Sequence, residues 1–336
     1  MTKTKVEIDV RRYRDEDEAA VLDLLKASLG GGPTGQRTAA FFNWKHRGNP
    51  FGRSYALVAE RSGRLVGFRT FMRWRFVLDG APVSAVRAVD TATHPDAQGM
   101  GIFTRLTLRA LEDLRHDTDL VFNTPNEKSL PGYLKMGWRR VMDVPVRVRV
   151  RRPVRFIRRV RARDVVGSPT TSAKVHALPA AQVLGDERRV APLLPQPPAG
   201  RLATDRSLDY LQWRYGEAPM LDYRAVTVGD PIDGIAIFRV RPRGALWEST
   251  VAEVLVAPGD VGGARRALSA AVRATRVDHV TCSLPQGSEG LAAARRVGFL
   301  PSPDGITLVA NPLRPTRVDP VDPGSWSLSL GDLEVF

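Results

Sequence analysis

Cysteine and lysine are scarce in this chain of 336 residues. The single cysteine, Cys282, excludes an intrachain disulfide and a cysteine-rich metal site. The five histidines are scattered without metal-ligand spacing, so we expect no metal. Seven lysines stand against 43 arginines, and the net charge is +14. This charge favours anionic partners, although a genome biased towards arginine would produce the same excess.

Long apolar stretches are also absent. No run of about 18 apolar residues is present, so we expect no membrane span. The first ten residues, MTKTKVEIDV, lack the apolar region of a secretory signal. These absences lead us to expect a cytoplasmic protein. The hydrophobic content of 43% and the length are enough for about two domains with cores of their own.

The hydrophobic pattern predicts a mixed α/β fold. A strand and a helix are followed by three strands that turn at Ser62-Gly63 and Asp79-Gly80. After Pro95 the apolar residues follow helical spacing. A further strand, a short helix that stops at Gly137, and a last strand complete the order. The first domain is predicted to end near residue 145.

The second half of the sequence repeats features of the first in the same order. The matching pairs are Trp44 and Trp213, Pro50 and Pro219, Tyr55 and Tyr223, Pro125 and Pro285, and Gly137-Trp138 and Gly298-Phe299. Spaced correspondences of this kind indicate two copies of one fold.

The repeat sets the predicted domain boundaries. The first copy covers residues 1–145, the second residues 172–312, and residues 313–336 form a tail. The connector, residues 146–171, begins with a segment in which nine arginines alternate with apolar residues. That segment is predicted as a solvated edge strand leading into a linker; the alternative is an anion-binding surface.

The stretch VDTATHPDAQGMGIFTRLTL joins a strand to a helix through a turn with Gly99 and Gly101. The first backbone amides of a helix lack internal partners, and together with the helix dipole they bind phosphate. The spacing fits neither a P-loop nor the G-x-G-x-x-G dinucleotide fingerprint. The residues alone therefore predict an anion or phosphate at the start of this helix.

The segment Gln98-Gly99-Met100-Gly101-Ile102-Phe103 resembles the Q/R-x-x-G-x-G/A acetyl-CoA loop of the GNAT N-acetyltransferase superfamily. Phe103 stands where that pattern has Gly or Ala. VDTATHP and NTPNEKSLPGYLKMGW are similar to the flanking segments of a bacterial subgroup. The resemblance implies a GNAT fold, with a mostly antiparallel central sheet and flanking helices, in two tandem copies.

The resemblance also assigns cofactor contacts. The loop backbone would cradle the pyrophosphate of acetyl-CoA, the strand before it would offer its edge to the pantetheine amides, and an asparagine would touch the cofactor. The residues so assigned are Thr91, Ala92, Thr93, Gln98, Gly99, Met100, Gly101, Ile102, Phe103 and Asn126.

Tyr133 matches the tyrosine of the superfamily that protonates the leaving thiolate; the alternative is a packing role beside Trp138. Attack on a thioester needs a neutral amine, so a base is expected. Asp90 is the first candidate because it lies on the strand entering the cleft. The second is the carboxylate of Phe336, since the tandem layout resembles the mycobacterial enhanced-intracellular-survival acetyltransferases. His94 is the third.

The second copy has lost this chemistry. Its corresponding loop, APGDVGGARRALSAAV, keeps Gly262 and Gly263 without the spacing of the motif. Ala294 stands where the first copy has Tyr133. Cys282 is interpreted as a core residue. We therefore expect one working site and a degenerate second domain that shapes the acceptor cleft.

These features predict an N-acetyltransferase that moves an acetyl group from acetyl-CoA to a primary amine by direct attack in a ternary complex. The alternatives are a tandem-GNAT transferase that uses aminoacyl-tRNA, against which the intact first loop argues, and a non-catalytic acyl-CoA-binding protein. The sequence does not identify the acceptor amine and leaves oligomerisation open. Nucleic acid is not expected as a partner.

Overall fold

The computed structural model describes residues 7–29, 38–156 and 173–333. Within these residues the chain forms one large mixed sheet with helices packed against it. The strands are β1 (Asp9–Arg12), β2 (Tyr55–Arg61), β3 (Arg64–Leu78), β4 (Ala81–Thr93), β5 (Leu120–Asn123), β6 (Arg139–Val150), β7 (Leu178–Pro179), β8 (Leu202–Thr204), β9 (Tyr223–Val228), β10 (Gly234–Arg243), β11 (Leu246–Val256), β12 (His279–Cys282), β13 (Leu300–Pro312) and β14 (Trp326–Ser327).

The helices are shorter and are spread over both halves. They are α1 (Glu18–Leu29), α2 (Ala39–His46), α3 (Ile102–Leu114), α4 (Leu130–Lys135), α5 (Ala180–Leu184), α6 (Glu187–Val190), α7 (Leu208–Leu211), α8 (Val261–Arg273), α9 (Glu289–Arg296) and α10 (Leu330–Leu333). A π-helical turn, Gln212–Gly216, continues α7. The predicted mixed α/β fold with a mostly antiparallel sheet is confirmed.

The two predicted hairpin turns form as expected. Ser62 and Gly63 join β2 to β3, and Asp79 and Gly80 join β3 to β4. All four residues have positive φ, between 49° and 77°. Two-residue turns of this kind match the twist of antiparallel strands, so local sequence sets the register of these hairpins.

The segments β2 to β6 and β9 to β13 have the same order of strands and helices, and they exchange their last strands. The strand order is β1-β2-β3-β4-β5-β13-β6-β12-β11-β10-β9-β7, with β8 paired to β3 and to β14. The parallel pairs β4–β5 and β11–β12 occupy matching places. Next to β5 lies β13 from the second half, and next to β12 lies β6 from the first. The exchange joins the two halves into one continuous sheet.

The first part of the arginine-rich segment, residues 146–150, forms a strand. Strand β6 continues to Val150, five residues into the range predicted as a linker. It lies between β13 and β12 at the centre of the sheet rather than at an edge. Its alternating valines and arginines suit a strand, and its pairing partners come from the distant second half.

A pair of tryptophans marks the symmetry between the halves. The indole nitrogen of Trp44 donates to the carbonyl of Trp213 at 2.8 Å, and Trp213 returns the bond to Trp44 at 2.9 Å. The two rings stack with centroids 5.1 Å apart. Both residues belong to one buried apolar cluster that draws side chains from both halves.

Trp44→Phe is expected to lower the free energy of unfolding by about 1–3 kcal/mol. The substitution keeps an aromatic ring but leaves the buried carbonyl of Trp213 without this donor. Urea denaturation followed by circular dichroism measures the change. Trp213→Phe should cost a similar amount because the bond is reciprocal, and a loss confined to one variant would contradict the symmetric pairing.

Candidate active site

The glycine turn before α3 has the backbone shape that the sequence predicts. Gly99 has φ of +77° and Gly101 has φ of +72°. A Cβ atom built on either glycine would meet no atom within 4 Å. The requirement for glycine is therefore conformational, since residues with side chains rarely adopt positive φ.

The start of α3 has no side-chain cap from the residues that the structure describes. Gly101 precedes the helix and caps it with no side chain. The first amide of the helix to be bonded is that of Arg105, which donates to the carbonyl of Gly101 at 3.0 Å. The four preceding amides are the donors that a helix leaves for an external acceptor, and the helix dipole favours an anion there.

The matching helix of the second half is closed by a carboxylate. Asp260 precedes α8 and accepts a hydrogen bond from the amide of Gly263 at 2.7 Å. Its negative charge occupies the position where an anion would bind. The two halves therefore differ in the property on which phosphate binding depends.

The strands on either side of this turn diverge. β4 and β5 pair in parallel from Ala85 with Leu120 to Arg87 with Phe122. β4 then continues to Thr93, and its pairing over residues 88–93 is with β3. Among the described residues, the other edge of this stretch carries no strand. A gap thus opens between β4 and β5 beside the start of α3.

Three predicted contact residues lie along this gap. The carbonyl of Thr93 accepts a hydrogen bond from the Ser28 hydroxyl at 3.1 Å, and the hydroxyl of Thr91 accepts one from Arg69. The side chain of Ala92 is buried in the apolar cluster beneath α1. Ala92 can therefore face a ligand only through its backbone.

Tyr133 lies at the far side of the gap, on α4, and is 5% exposed. Its hydroxyl accepts a hydrogen bond from Arg69 at 3.0 Å. The Arg69 guanidinium also lies over the rings of Phe71, Phe103 and Tyr133, at 4.6 to 5.4 Å from their centroids. No carboxylate pairs with this buried arginine among the described residues.

Phe103 has a specific place in this arrangement. Its ring meets the Tyr133 ring edge to face, with centroids 5.6 Å apart. A Cβ atom on Gly132 would come within 3.2 Å of the Phe103 ring. Phe103 thus uses the space that Gly132 leaves on α4.

The second half has no counterpart to the phenol. The amide of Trp138 donates to the carbonyl of Tyr133 at 3.2 Å, and that of Phe299 donates to the carbonyl of Ala294 at 3.1 Å. These matching bonds put Ala294 in the place of Tyr133. Cys282 nearby is completely buried, and burial raises the pKa of its thiol to about 12, so a reactive thiolate is disfavoured.

Asp90 occupies a bulge in β4 and has φ of +36°. Its carboxylate lies 2.7 Å from the Lys45 ammonium and 3.0 Å from Nε2 of His46. Nδ1 of His46 is 3.0 Å from the Ser54 hydroxyl. The Asp90 side chain is 4% exposed, so a buried ion pair holds this carboxylate.

The end of the described chain reaches the point where β4 and β5 part. Arg87 donates to the hydroxyl of Thr124 at 2.8 Å and to the carbonyl of Leu333 at 2.6 Å. It also donates to the carbonyl of Asp332. Phe336, the second predicted base, lies outside the described residues, three positions beyond this anchor.

Of the other predicted contacts, Ile102 is buried in the apolar cluster beneath α3, so its side chain cannot face a ligand, and the rest lie at the surface. Gln98 is exposed, and the Met100 side chain is 45% exposed. Oδ1 of Asn126 accepts from the amide of Ser129 at 2.9 Å and so helps to start α4. Its side chain is also exposed. His94, the third candidate base, lies 2.7 Å from Arg64 through Nε2.

Residues 9–141 match the family model described as an acetyltransferase (GNAT) domain. The chain carries a GNAT domain. The open glycine turn before α3 and the β4–β5 gap both lie inside it. A search of curated proteins finds no match to the chain.

Solved structures with this fold cover nearly the whole chain. A probable N-acyltransferase from Enterococcus faecalis has a TM-score of 0.60 and 11% identity, over 91% of this chain and 73% of that one. A GCN5-related N-acetyltransferase from Anabaena variabilis has a TM-score of 0.58 and 12% identity, over 92% and 73%. Eis1 from Mycobacterium abscessus has a TM-score of 0.54 and 17% identity, over 91% and 74%.

These likenesses show the fold, and the GNAT domain supports an acyltransferase. In the described part of the chain, no helix has the length and apolar character of a membrane span. No cluster of three or more metal-ligating side chains is found there either.

Sequence reasoning did not find Arg69 and Arg87. Arg69 lies on β3, where Arg73 and Arg75 alternate with apolar residues as on a solvated face, and Arg87 is the one arginine of β4. Both are nevertheless buried. A weak signal in the sequence was a single arginine inside a mainly apolar run, at residues 65–72 and again at residues 85–89.

Proposed function

We propose that the protein is an acetyl-CoA-dependent N-acetyltransferase with one working site, in its first half. The observation that carries the proposal is the open start of α3 beside the β4–β5 gap, set against the capped start of α8. A release assay for free CoA over amino sugars, polyamines, aminoglycosides and peptide N-termini tests it. Acetylated product from at least one amine is the expected result.

Acetyl-CoA would be a substrate of the reaction, and the first half offers a place for its pyrophosphate, its pantetheine arm and its thioester. The amides at the start of α3 would accept its pyrophosphate. The free edge of β4 would bond the pantetheine amides, which leaves the thioester in the gap near Tyr133. In the second half, Asp260 would repel the same phosphates.

The reaction we propose is direct attack. The neutral amine nitrogen forms a bond to the acetyl carbon, the carbon–sulfur bond breaks, and the electron pair leaves on sulfur. Tyr133 gives its phenolic proton to the departing thiolate. A base takes the proton that the amine nitrogen loses, and solvent returns a proton to Tyr133.

Arg69 has a positioning role in this proposal. Because the Tyr133 oxygen accepts the Arg69 N–H, the phenolic proton is left to point elsewhere, towards the gap. The three aromatic rings around Arg69 hold its guanidinium in place without a carboxylate that would neutralise it.

Arg69→Gln is expected to lower kcat about tenfold or more while changing KM for acetyl-CoA little, because it removes the donor that orients the phenol. The same substitution in a Tyr133→Phe background should have almost no further effect, since residues acting as a unit are not additive. Arg69→Lys serves as the variant that keeps the charge. Equal losses in both backgrounds would contradict a role through Tyr133.

Of the three candidate proton acceptors, His94 is already in contact with Arg64, which leaves Asp90 and Phe336. Asp90 is ion-paired with Lys45, and an opposite charge favours the ionised carboxylate and makes it a weaker base. Arg87 holds the carbonyl of Leu333, three positions before Phe336, at the mouth of the gap. We therefore propose that residues 334–336 supply the base and that Asp90 fixes the position of α2.

Deletion of residues 334–336 is expected to lower kcat/KM for the amine about 100-fold, which is typical for the loss of a general base. Acetyl-CoA affinity, measured by calorimetry, should stay unchanged because the start of α3 is intact. Asp90→Asn is the comparison. If the deletion is harmless and Asp90→Asn abolishes turnover, the role belongs to Asp90.

The alternatives make different predictions in the same assays. A transferase that uses aminoacyl-tRNA should not bind free acetyl-CoA. A non-catalytic acyl-CoA-binding protein should bind it and show no turnover with any amine, in wild type and in Tyr133→Phe alike.

A further inference from the structure

The second half contains a cavity that the proposed reaction does not use. β11 and β12 pair in parallel from Glu248 to Val251 and then part, as β4 and β5 do. A cavity of about 230 Å³ lies beyond that point. Its apolar wall includes Val254, Val256, Pro258 and Leu284.

Acetyl-CoA does not suit this cavity. The start of α8 beside it is capped by Asp260. The amide of Gly259 donates to the Glu289 carboxylate at 2.7 Å, which ties the loop before α8 to the start of α9. A phosphate at this place would meet two carboxylates and no open helix amides.

The deep end of the cavity is a charged network whose arginine is already occupied. Arg206 donates to Glu253 at 3.1 Å through Nε, and to Ser329 at 2.9 Å and Asp332 at 2.7 Å through Nη2. Arg206 and Glu253 line the cavity, and Asp332 lies behind them. Two carboxylates thus face one guanidinium, and Arg206 has little capacity left for an anionic ligand.

The rim adds another carboxylate, that of Glu289. Arg87 and Arg214 donate to the backbone carbonyls of Leu333 and Gly331 and do not line the cavity. The cavity is thus lined by two carboxyl groups, Glu253 and Glu289, against one guanidinium, although burial raises the pKa of Glu253. Such a lining attracts cations and repels anions.

Two oxygen atoms in the wall can each accept a further hydrogen bond. The Ser327 hydroxyl is buried, lines the cavity and has no hydrogen-bond partner in the described part of the chain. Oε2 of Glu253 has Arg206 as its one donor there. Buried acceptors without partners are costly, so a ligand with N–H donors would stabilise this wall.

We propose that this cavity binds a small organic cation, a primary amine with an apolar body. The ammonium group bonds Glu253 and Ser327, and the apolar body packs against Val254, Val256 and Leu284. The site is distinct from the transfer site in the first half. The proposal does not depend on acetyl transfer.

The test is calorimetric titration with benzylamine in the absence of acetyl-CoA, with benzyl alcohol and phenylacetate as matched neutral and anionic probes. Benzylamine should bind, benzyl alcohol should bind about tenfold or more weakly, and phenylacetate should not bind, because only the amine pairs with the carboxylates. No binding of benzylamine up to about 10 mM, a concentration that detects very weak binding, would overturn the proposal.

Two variants in the second half, and one control variant in the first half, show where benzylamine binds. Val254→Trp fills the cavity and should abolish benzylamine binding. Glu253→Gln keeps the shape and should weaken binding about tenfold or more. Gly101→Asp, in the first half, should leave it unchanged. Binding that survives Val254→Trp, or that is lost in Gly101→Asp, would assign the amine to the first half and overturn the proposal.

Discussion

Gly101→Asp is expected to raise KM for acetyl-CoA about 100-fold or more. The substitution puts a carboxylate at the start of α3, where Asp260 caps α8 in the second half. Aspartate tolerates the positive φ of this position better than most residues, so the loop should keep its fold. Its charge competes for the amides and repels the pyrophosphate.

Two matched variants control this experiment. Gly101→Asn has the same shape without the charge and should raise KM much less. Asp260→Asn makes the matching change in the second half and should leave KM for acetyl-CoA unaltered. Steady-state kinetics with the best amine of the panel measures all three. If Gly101→Asp and Gly101→Asn are equally affected, repulsion of phosphate is not the cause.

Tyr133→Phe is expected to lower kcat by about 100- to 1,000-fold with little change in KM for acetyl-CoA, the range typical for loss of a general acid. The variant keeps the ring that packs against Phe103 and Trp138 and removes the hydroxyl. The thiolate would then leave without a proton, although its own pKa of about 8.5 keeps the reaction from stopping entirely.

A packing role for Tyr133 makes the opposite prediction. The phenylalanine ring would fill the same space, and kcat would stay within about twofold of wild type, since the loss of one hydroxyl acts on stability alone.

The fold could be predicted where local sequence determines it. The Asp79-Gly80 turn sets a hairpin, and the glycine turn before α3 carries the backbone shape of an anion site. Trp44 and Trp213 helped to identify the repeat. They occupy the same position in each half, and the two rings stack on each other.

The exchange of β6 and β13 could not be predicted, because the partners of a strand are chosen by packing over a long separation in sequence. The alternating valines and arginines of β6 are as compatible with a strand at the edge of a sheet as with one at its centre. The burial of Arg69 and Arg87 follows from the same long-range choices. Arg69 is enclosed only once α3 and α4 have packed on the sheet, and Arg87 only once residues near Leu333 have returned to β4.

Calorimetric titration of the full chain with acetyl-CoA tests the account most directly. One molecule should bind per chain, the binding should be lost in Gly101→Asp, and it should persist in Asp260→Asn. Two molecules per chain, or full binding by Gly101→Asp, would contradict the claim that the open start of α3 forms the one acetyl-CoA site.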